Sequence, residues 1–152
     1  MIALVQRVSC ARVEIAGDIV GRIDAGILAL VGVERGDAEE HAVRLAERVL
    51  GYRMFPDQDG KMNRCLAEVQ GSLLAVPQFT LAADTRKGAR PSFSSAAAPE
   101  DGVQFFDRFV VHARTQGARV ETGRFGASMQ VHLVNDGPVT FWLRVPPRED
   151  SA

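Results

Sequence analysis

The chain has 152 residues, 46% of them hydrophobic and 24% charged, with a net charge of −1 and a pI near 6.3. This is the size and mix of one globular domain, long enough to bury about two thirds of its unfolded surface. It excludes a generic polyanion-coating surface, so any nucleic-acid contact must come from a local patch. No apolar run approaches the ~18 residues that a membrane-spanning helix needs.

Met1 to Arg7 shows no basic leader followed by a long apolar core, so a cytoplasmic protein is expected. Residues 1–8 are an apolar run with β-branched members and are expected to form a buried strand. Val13, Ile15, Ile19 and Ile23 mark a second strand region, turned at Gly17-Asp18. Gly26 to Val33 reads as a central strand. Asp37 caps a helix, three residues before Glu40. Ala42, Val43, Ala46, Val49 and Leu50 follow at helical spacing, with Glu39, Glu40, Arg44, Glu47 and Arg48 opposite, and Gly51 ends the helix. Residues 52–55 read as a short strand, 56–60 as a turn, and Leu73 to Phe79 as the next apolar strand.

Residues 82–98 have no apolar period. Arg86, Lys87 and Arg90 place three cations there, and a loop this long inside a compact domain is functional or disordered. Pro99 opens a second helix, whose dipole Glu100 and Asp101 complement. Val103, Phe106, Phe109, Val110 and Ala113 form its buried stripe, and Gly117 stops it. Val120, Met129 to Val134 and Val139 to Val145 supply the remaining strands. There is no repeat or linker, so a single domain over residues 1–145 is expected, followed by a polar, frayed tail over 146–152. Two helices among about seven strands predict a mixed α/β layer structure. A parallel Rossmann sheet is not expected, because no G-x-G-x-x-G follows the first strand.

Metal chemistry finds no support. His41, His112 and His132 are scattered, and Cys10 and Cys65 lack ligand spacing and read as buried free thiols. Asp57 and Asp59 lack the later acidic ligands of a cation loop. No G-x-S-x-G elbow is present. The basic loop can meet phosphates through Arg86, Lys87 and Arg90 and stack a base on Phe93, although a charge run is also what a solvated face looks like.

Two polar breaks interrupt β-like runs: Pro77-Gln78-Phe79-Thr80-Leu81 and Asn135-Asp136-Gly137-Pro138-Val139-Thr140. A Gly-Pro step in mid-strand is costly, since Pro donates no ladder hydrogen bond and Gly weakens a strand interior. The plain reading is two ordinary turns. The functional one is that bared backbone does the work. A lone Thr is a poor nucleophile without a base, and Gln78 is not one. Backbone N–H groups at a strand end can still stabilise an oxyanion, which suits an activated ester better than an amide.

Taken with Gln6-Arg7-Val8, Asp59-Gly60-Lys61-Met62-Asn63, Lys87-Gly88-Ala89-Arg90-Pro91-Ser92-Phe93 and Gly123-Arg124-Phe125-Gly126-Ala127-Ser128-Met129, these two breaks make six segments in order. In that order and spacing the chain resembles the D-aminoacyl-tRNA deacylases, also called D-tyrosyl-tRNA deacylases, from Met1 to about Leu143. The resemblance implies a three-layer α/β/β fold, a homodimer without metal or other cofactor, and hydrolysis of the ester joining a D-amino acid, or glycine, to tRNA. It implies that Gly137-Pro138 is cis and enters the partner subunit's site to reject L-amino acids by backbone sterics. Gln78, Phe79 and Thr80 would form the catalytic pocket, with amides near Phe79 and Thr80 as oxyanion donors and water as attacker. Arg7 would brace the Gly-Pro loop, Met129 would line the pocket, and Lys87, Arg90 and Phe93 would meet the tRNA 3′ end. One departure stands out: the family has Ser before Gln-Phe-Thr-Leu, where this chain has Pro77. A different activity is also compatible with the residues, namely a non-catalytic nucleic-acid binding module of the same fold. It would need the basic loop but no intact Gly-Pro tip.

Overall fold

A computed structural model describes residues 1–149. Its axis is β1 (Ile2–Ile15), a single long strand where the sequence suggested two. Ala16 and Gly17 turn the chain at φ 49° and 84°, and β2 (Asp18–Ile23) returns along the second half of β1. β3 (Gly26–Gly32) pairs with the first half instead, from Ile2↔Gly32 to Val8↔Gly26. β4 (Phe55–Pro56) and β5 (Met62–Arg64) form a separate small hairpin. β6 (Ser72–Pro77) and β7 (Arg119–Thr122) continue the sheet in parallel beyond β3. The last strand, β8 (Gln130–Arg144), also merges two expected strands and follows the outer edge of β1 along its whole length.

The two parallel steps need crossovers, and helices supply them. α1 (Glu39–Gly51) follows β3, and α2 (Pro99–Thr115) links β6 to β7. Both pack on one sheet face with Ile27, Ala29, Val31, Leu73 and Ala75. The alternate residues Leu28, Leu74 and Val76 face the other way, where Val8, Ala11, Val13 and Ile23 cover them. The sheet therefore curls over its own second face. This explains why β3 and β6 read as unbroken apolar runs: both of their faces are buried. At the crossing a Cβ on Gly21 would lie 2.6 Å from the Thr122 carbonyl oxygen, so only glycine lets β2 pass that close. The result is the expected α/β/β layering.

Several local expectations change. Asp37 does not cap α1. Ala38 precedes the helix, and its N–H donates to His41 Nδ1 at 2.7 Å. On α2 the buried position is Gly102, while Val103 faces outward. Cys10 is exposed rather than buried, because it lies on the outer face of curled β1. In the tail the Arg148 guanidinium lies 2.6 Å from Glu40; residues 150–152 lie outside the described residues. Among the described residues no helix is long and apolar enough to cross a membrane.

Asp37 has another use. With Glu34 it receives the Met1 ammonium, at 2.8 Å and 3.2 Å, and Arg144 grips Glu34 from β8 at 2.8 Å. The cluster ties the first and last strands to the start of α1. The Arg144 and Met1 charges outweigh burial and hold the Glu34 carboxyl below its ordinary range, whereas burial pushes Asp37 up. Glu34→Gln should lower stability by about 2–3 kcal/mol near neutral pH, read by urea denaturation. A depressed carboxyl contributes its stability above its ordinary pKa and loses it as pH falls through the folded value. The gap between the two proteins should therefore close in acid.

Candidate functional site

The first break lies where β6 leaves the sheet. Pro77 takes the last paired position, opposite Val31, and Gln78 N–H still donates to the Val31 carbonyl at 2.8 Å. The chain then tightens into a 3-10 turn over Phe79–Ala82, closed by Leu81 N–H on the Gln78 carbonyl at 3.3 Å. The first N–H groups of such a turn have no partner within it, and among the described residues the amides of Phe79 and Thr80 meet no acceptor. Gly32 makes room for the turn, since a Cβ there would sit 3.0 Å from both the Gln78 carbonyl oxygen and Leu81 Cβ. The Gln78 carboxamide donates to Thr80 Oγ1. Thr80 is thus oriented by an amide, not activated by a base.

The wall beside this turn comes from the segment after β7. Gly123 N–H donates to the Ala75 carbonyl at 2.9 Å, and a Cβ at 123 would lie 2.8 Å from Met129 Sδ and 3.5 Å from Pro77 Cδ. Met129 is thereby held next to Pro77, with its sulfur accepting from Arg124 N–H at 3.4 Å. On the open side the Phe79 and Phe93 rings meet at 5.2 Å between centroids, tilted by 50°. Phe93 follows a pinched loop, closed by paired hydrogen bonds between Asp84 and Ser92. Of the three cations in that loop, Arg86 is committed to Asp84 at 2.8 Å. Lys87 and Arg90 have no ion-pair partner among the described residues.

The second break is a bulge in β8. The ladder pairs Gln6 with Thr140 and Val8 with Asn135, so Arg7 alone faces the four residues Asp136, Gly137, Pro138 and Val139. The Gly137–Pro138 peptide is cis, and both residues are exposed. Gly137 has φ 140°, and a Cβ on it would lie 2.9 Å from Val139 N. Arg7 donates from Nε to the Asp136 carbonyl and from Nη1 to the Met54 carbonyl, each at 3.0 Å. Asn135 Nδ2 reaches the carbonyls of Arg7 and Val139 at 3.0 Å and 2.9 Å.

The expected residues therefore fall into two places. Gln78, Phe79, Thr80, Met129 and Phe93 gather around the end of β6, with Lys87 and Arg90 on the adjoining loop. Arg7, Gly137 and Pro138 sit at mid-length on the opposite edge. The tip is level with Leu73 through Arg7↔Ile27↔Leu73, three strands from β6 and five residues short of Gln78. Strand geometry makes that about 14 Å across and about 16 Å along the sheet, or roughly 20 Å in all. Gly32, Gly123 and Asn135 were missing from the expected set. Gly32 has no signal beyond its lack of a side chain, whereas Gly123 opened one of the six segments and Asn135 stood in plain view beside the Gly-Pro step. Among the described residues no three His, Cys, Asp or Glu side chains gather where they could hold a metal ion.

Comparison with known proteins adds five findings. A family model described as D-Tyr-tRNA(Tyr) deacylase matches residues 4–144. A D-aminoacyl-tRNA deacylase of Alkalilimnicola ehrlichii is 60% identical, over 97% of this chain and 98% of its own. One of Pseudomonas paraeruginosa is 62% identical, over 94% and 99%. Among solved structures, a c-Myc DNA Unwinding Element Binding Protein superposes with a TM-score of 0.90 at 36% identity, over 96% of this chain and 99% of that one. A probable eukaryotic D-amino acid tRNA deacylase shares the fold at a TM-score of 0.78 and 19% identity, over 93% and 97%.

The loop beside the site carries its own test. The Arg86 guanidinium and the Arg86 N–H draw the Asp84 carboxyl down to about 2. A group lowered in this way keeps its contact above its ordinary pKa and loses it only as pH falls toward the folded value. Carbon-13 NMR of the Asp84 carboxyl should give a midpoint well under the ordinary 3.8, and a value near 3.8 would mean that the clasp is absent.

Proposed function

The chain belongs to the D-Tyr-tRNA(Tyr) deacylase family, and we propose a reading of how its site performs the family's reaction. It is a hydrolase that cleaves the ester of D-aminoacyl-tRNA and releases the free D-amino acid and tRNA. The unspent amides of Phe79 and Thr80 carry this reading. Water attacks the ester carbonyl, the carbonyl oxygen gathers charge against those two N–H groups, and the bond to the ribose oxygen then breaks. A donor aimed at a developing oxyanion is worth about 3–4 kcal/mol, and an aminoacyl ester is reactive enough to need little more. The Thr80 hydroxyl, held by Gln78, orients rather than attacks.

Stereochemical selection falls to the Gly137–Pro138 tip. At roughly 20 Å from its own pocket it serves the pocket of a second copy, which makes the working unit a homodimer. A two-fold interface that exchanges tips has its centre midway between tip and pocket. There, Trp142 faces Leu4 across one ladder and Leu4 faces Leu30 across the next, on the sheet face left open above the curl. Trp142 is 57% exposed in the single chain, a large apolar group with nothing covering it. A main-chain wedge excludes an L side chain without contacting a D one, which can point outward. Glycine has no side chain to clash, so glycyl-tRNA is also a substrate. Lys87 and Arg90 meet phosphates of the tRNA 3′ end, and the Phe79–Phe93 pair offers a surface for a terminal base. A relative named for DNA binding keeps the second reading in view, but a binding module would be indifferent to an intact tip.

Purified protein should release D-tyrosine from D-tyrosyl-tRNA and leave L-tyrosyl-tRNA intact. Equal release of both, or of neither, would sink the assignment. Thr80→Val should keep activity within about tenfold of wild type in single-turnover kinetics. Thr80→Trp should be inactive, without an open pocket, whereas Gly137→Val should release both D- and L-tyrosine, without a usable tip. Mixed and reassembled in equal amounts, the two should release L-tyrosine about half as fast per Gly137→Val subunit, because half of those subunits then borrow a sound tip from the partner. Unchanged L-tyrosine release despite proven subunit exchange would place the tip in its own subunit.

A further inference from the structure

We infer that Asn135 is the positioning residue that sets how far the Gly137–Pro138 tip projects, and so determines how strictly L-aminoacyl esters are refused. The inference rests on the functional reading above and concerns a residue with no place in the reaction itself.

The bulge leaves four residues of β8 opposite one of β1. Ladder hydrogen bonds therefore cannot fix its height, and something else must. Both Gly137 and Pro138 are exposed in the single chain, so no other part of that chain packs over them. Arg7 holds one limb through the Asp136 carbonyl. Asn135 does a different job. Its single carboxamide nitrogen donates to the Arg7 carbonyl on β1 and to the Val139 carbonyl on β8. The first acceptor lies on the partner strand and the second where the bulge rejoins the ladder. One rigid amide thus spans the mouth of the bulge and fixes the separation of its two ends.

The chemistry is specific to asparagine. Both partners are carbonyl oxygens, so the group between them must supply two N–H donors from one atom. Aspartate has the same shape and no donor, and it would set a negative oxygen against two carbonyls. Alanine would leave both carbonyls unpaired at a partly buried position. Either change frees the mouth to widen, and the tip then sinks or sways. A wedge that works by sterics is sensitive to such movement, since a misplacement of about 1 Å can cost about a hundredfold in a positioned reaction.

The test compares kcat/KM for D-tyrosyl-tRNA and L-tyrosyl-tRNA in wild type, Asn135→Asp and Asn135→Ala, with circular dichroism and thermal unfolding of each. The ratio of the two constants is the deciding quantity, because a generally loosened fold lowers both together. In a variant that folds, the D-to-L ratio should fall by about tenfold or more. An unchanged ratio in a folded variant, beside a selective wild type, overturns this inference alone. Failure of both variants to fold overturns it as well, since Asn135 would then hold the sheet rather than the tip. A wild type that does not distinguish the two esters removes the functional reading and this inference with it.

Discussion

The ladder between β1 and β8 is the constraint on which the rest of the molecule depends. A strand of 14 residues is too long to stay flat, and the right-handed twist of sheets carries its two halves over different neighbours. The first half pairs with β3 and the second with β2, while β8 follows both. The curl closes the second core layer and leaves one part of the sheet face open above it. The same ladder has a single large interruption, opposite Arg7, and that interruption is the exposed Gly-Pro tip. One long pairing therefore produces the layering, the open face and the projecting tip.

The proposed site follows from how a parallel strand ends, with little help from reactive side chains. β6 loses its ladder partner after Pro77, and the 3-10 turn that follows leaves two amides without a use. Glycines at 32 and 123 bring neighbouring backbone close enough to fix that turn and to seat Met129 beside it. The departure at Pro77 is tolerated because the position needs no donor there. The next N–H in the ladder belongs to Gln78 and is made. The amides that serve the proposed reaction lie one and two residues further on.

Much of this was legible in the sequence because periodicity and turn residues report burial directly. β3, β6 and the cores of both helices fall where their apolar runs lie. The misreadings have one cause, that sequence shows local pattern but not pairing partner. Two polar residues at Ser9-Cys10 looked like the end of a strand, although β1 merely turns its outer face to solvent there. Asp37 looked like a helix cap by spacing, but the Met1 ammonium claims it. The residues after Asn135 looked like a turn between strands, whereas they are a bulge within one strand whose ladder resumes at Thr140. At the site, Gln78, Phe79 and Thr80 were readable as a break in an apolar run. Gly32 was not, because its importance lies in a turn about 50 residues away that only packing brings near.

The Asp84–Arg86 clasp has a consequence for how the protein would sense ionic strength. Counting basic residues in the loop gives three, but one is already neutralised within the chain. Two unpaired cations release few counterions on meeting a single strand. The slope of log affinity against log salt would be about −1.4, and a rise from 50 to 200 mM would weaken the contact only about sevenfold. A protein gripping its nucleic acid so lightly would bind and let go across ordinary cellular salt, leaving the chemistry at the terminal ester to decide which molecules are changed.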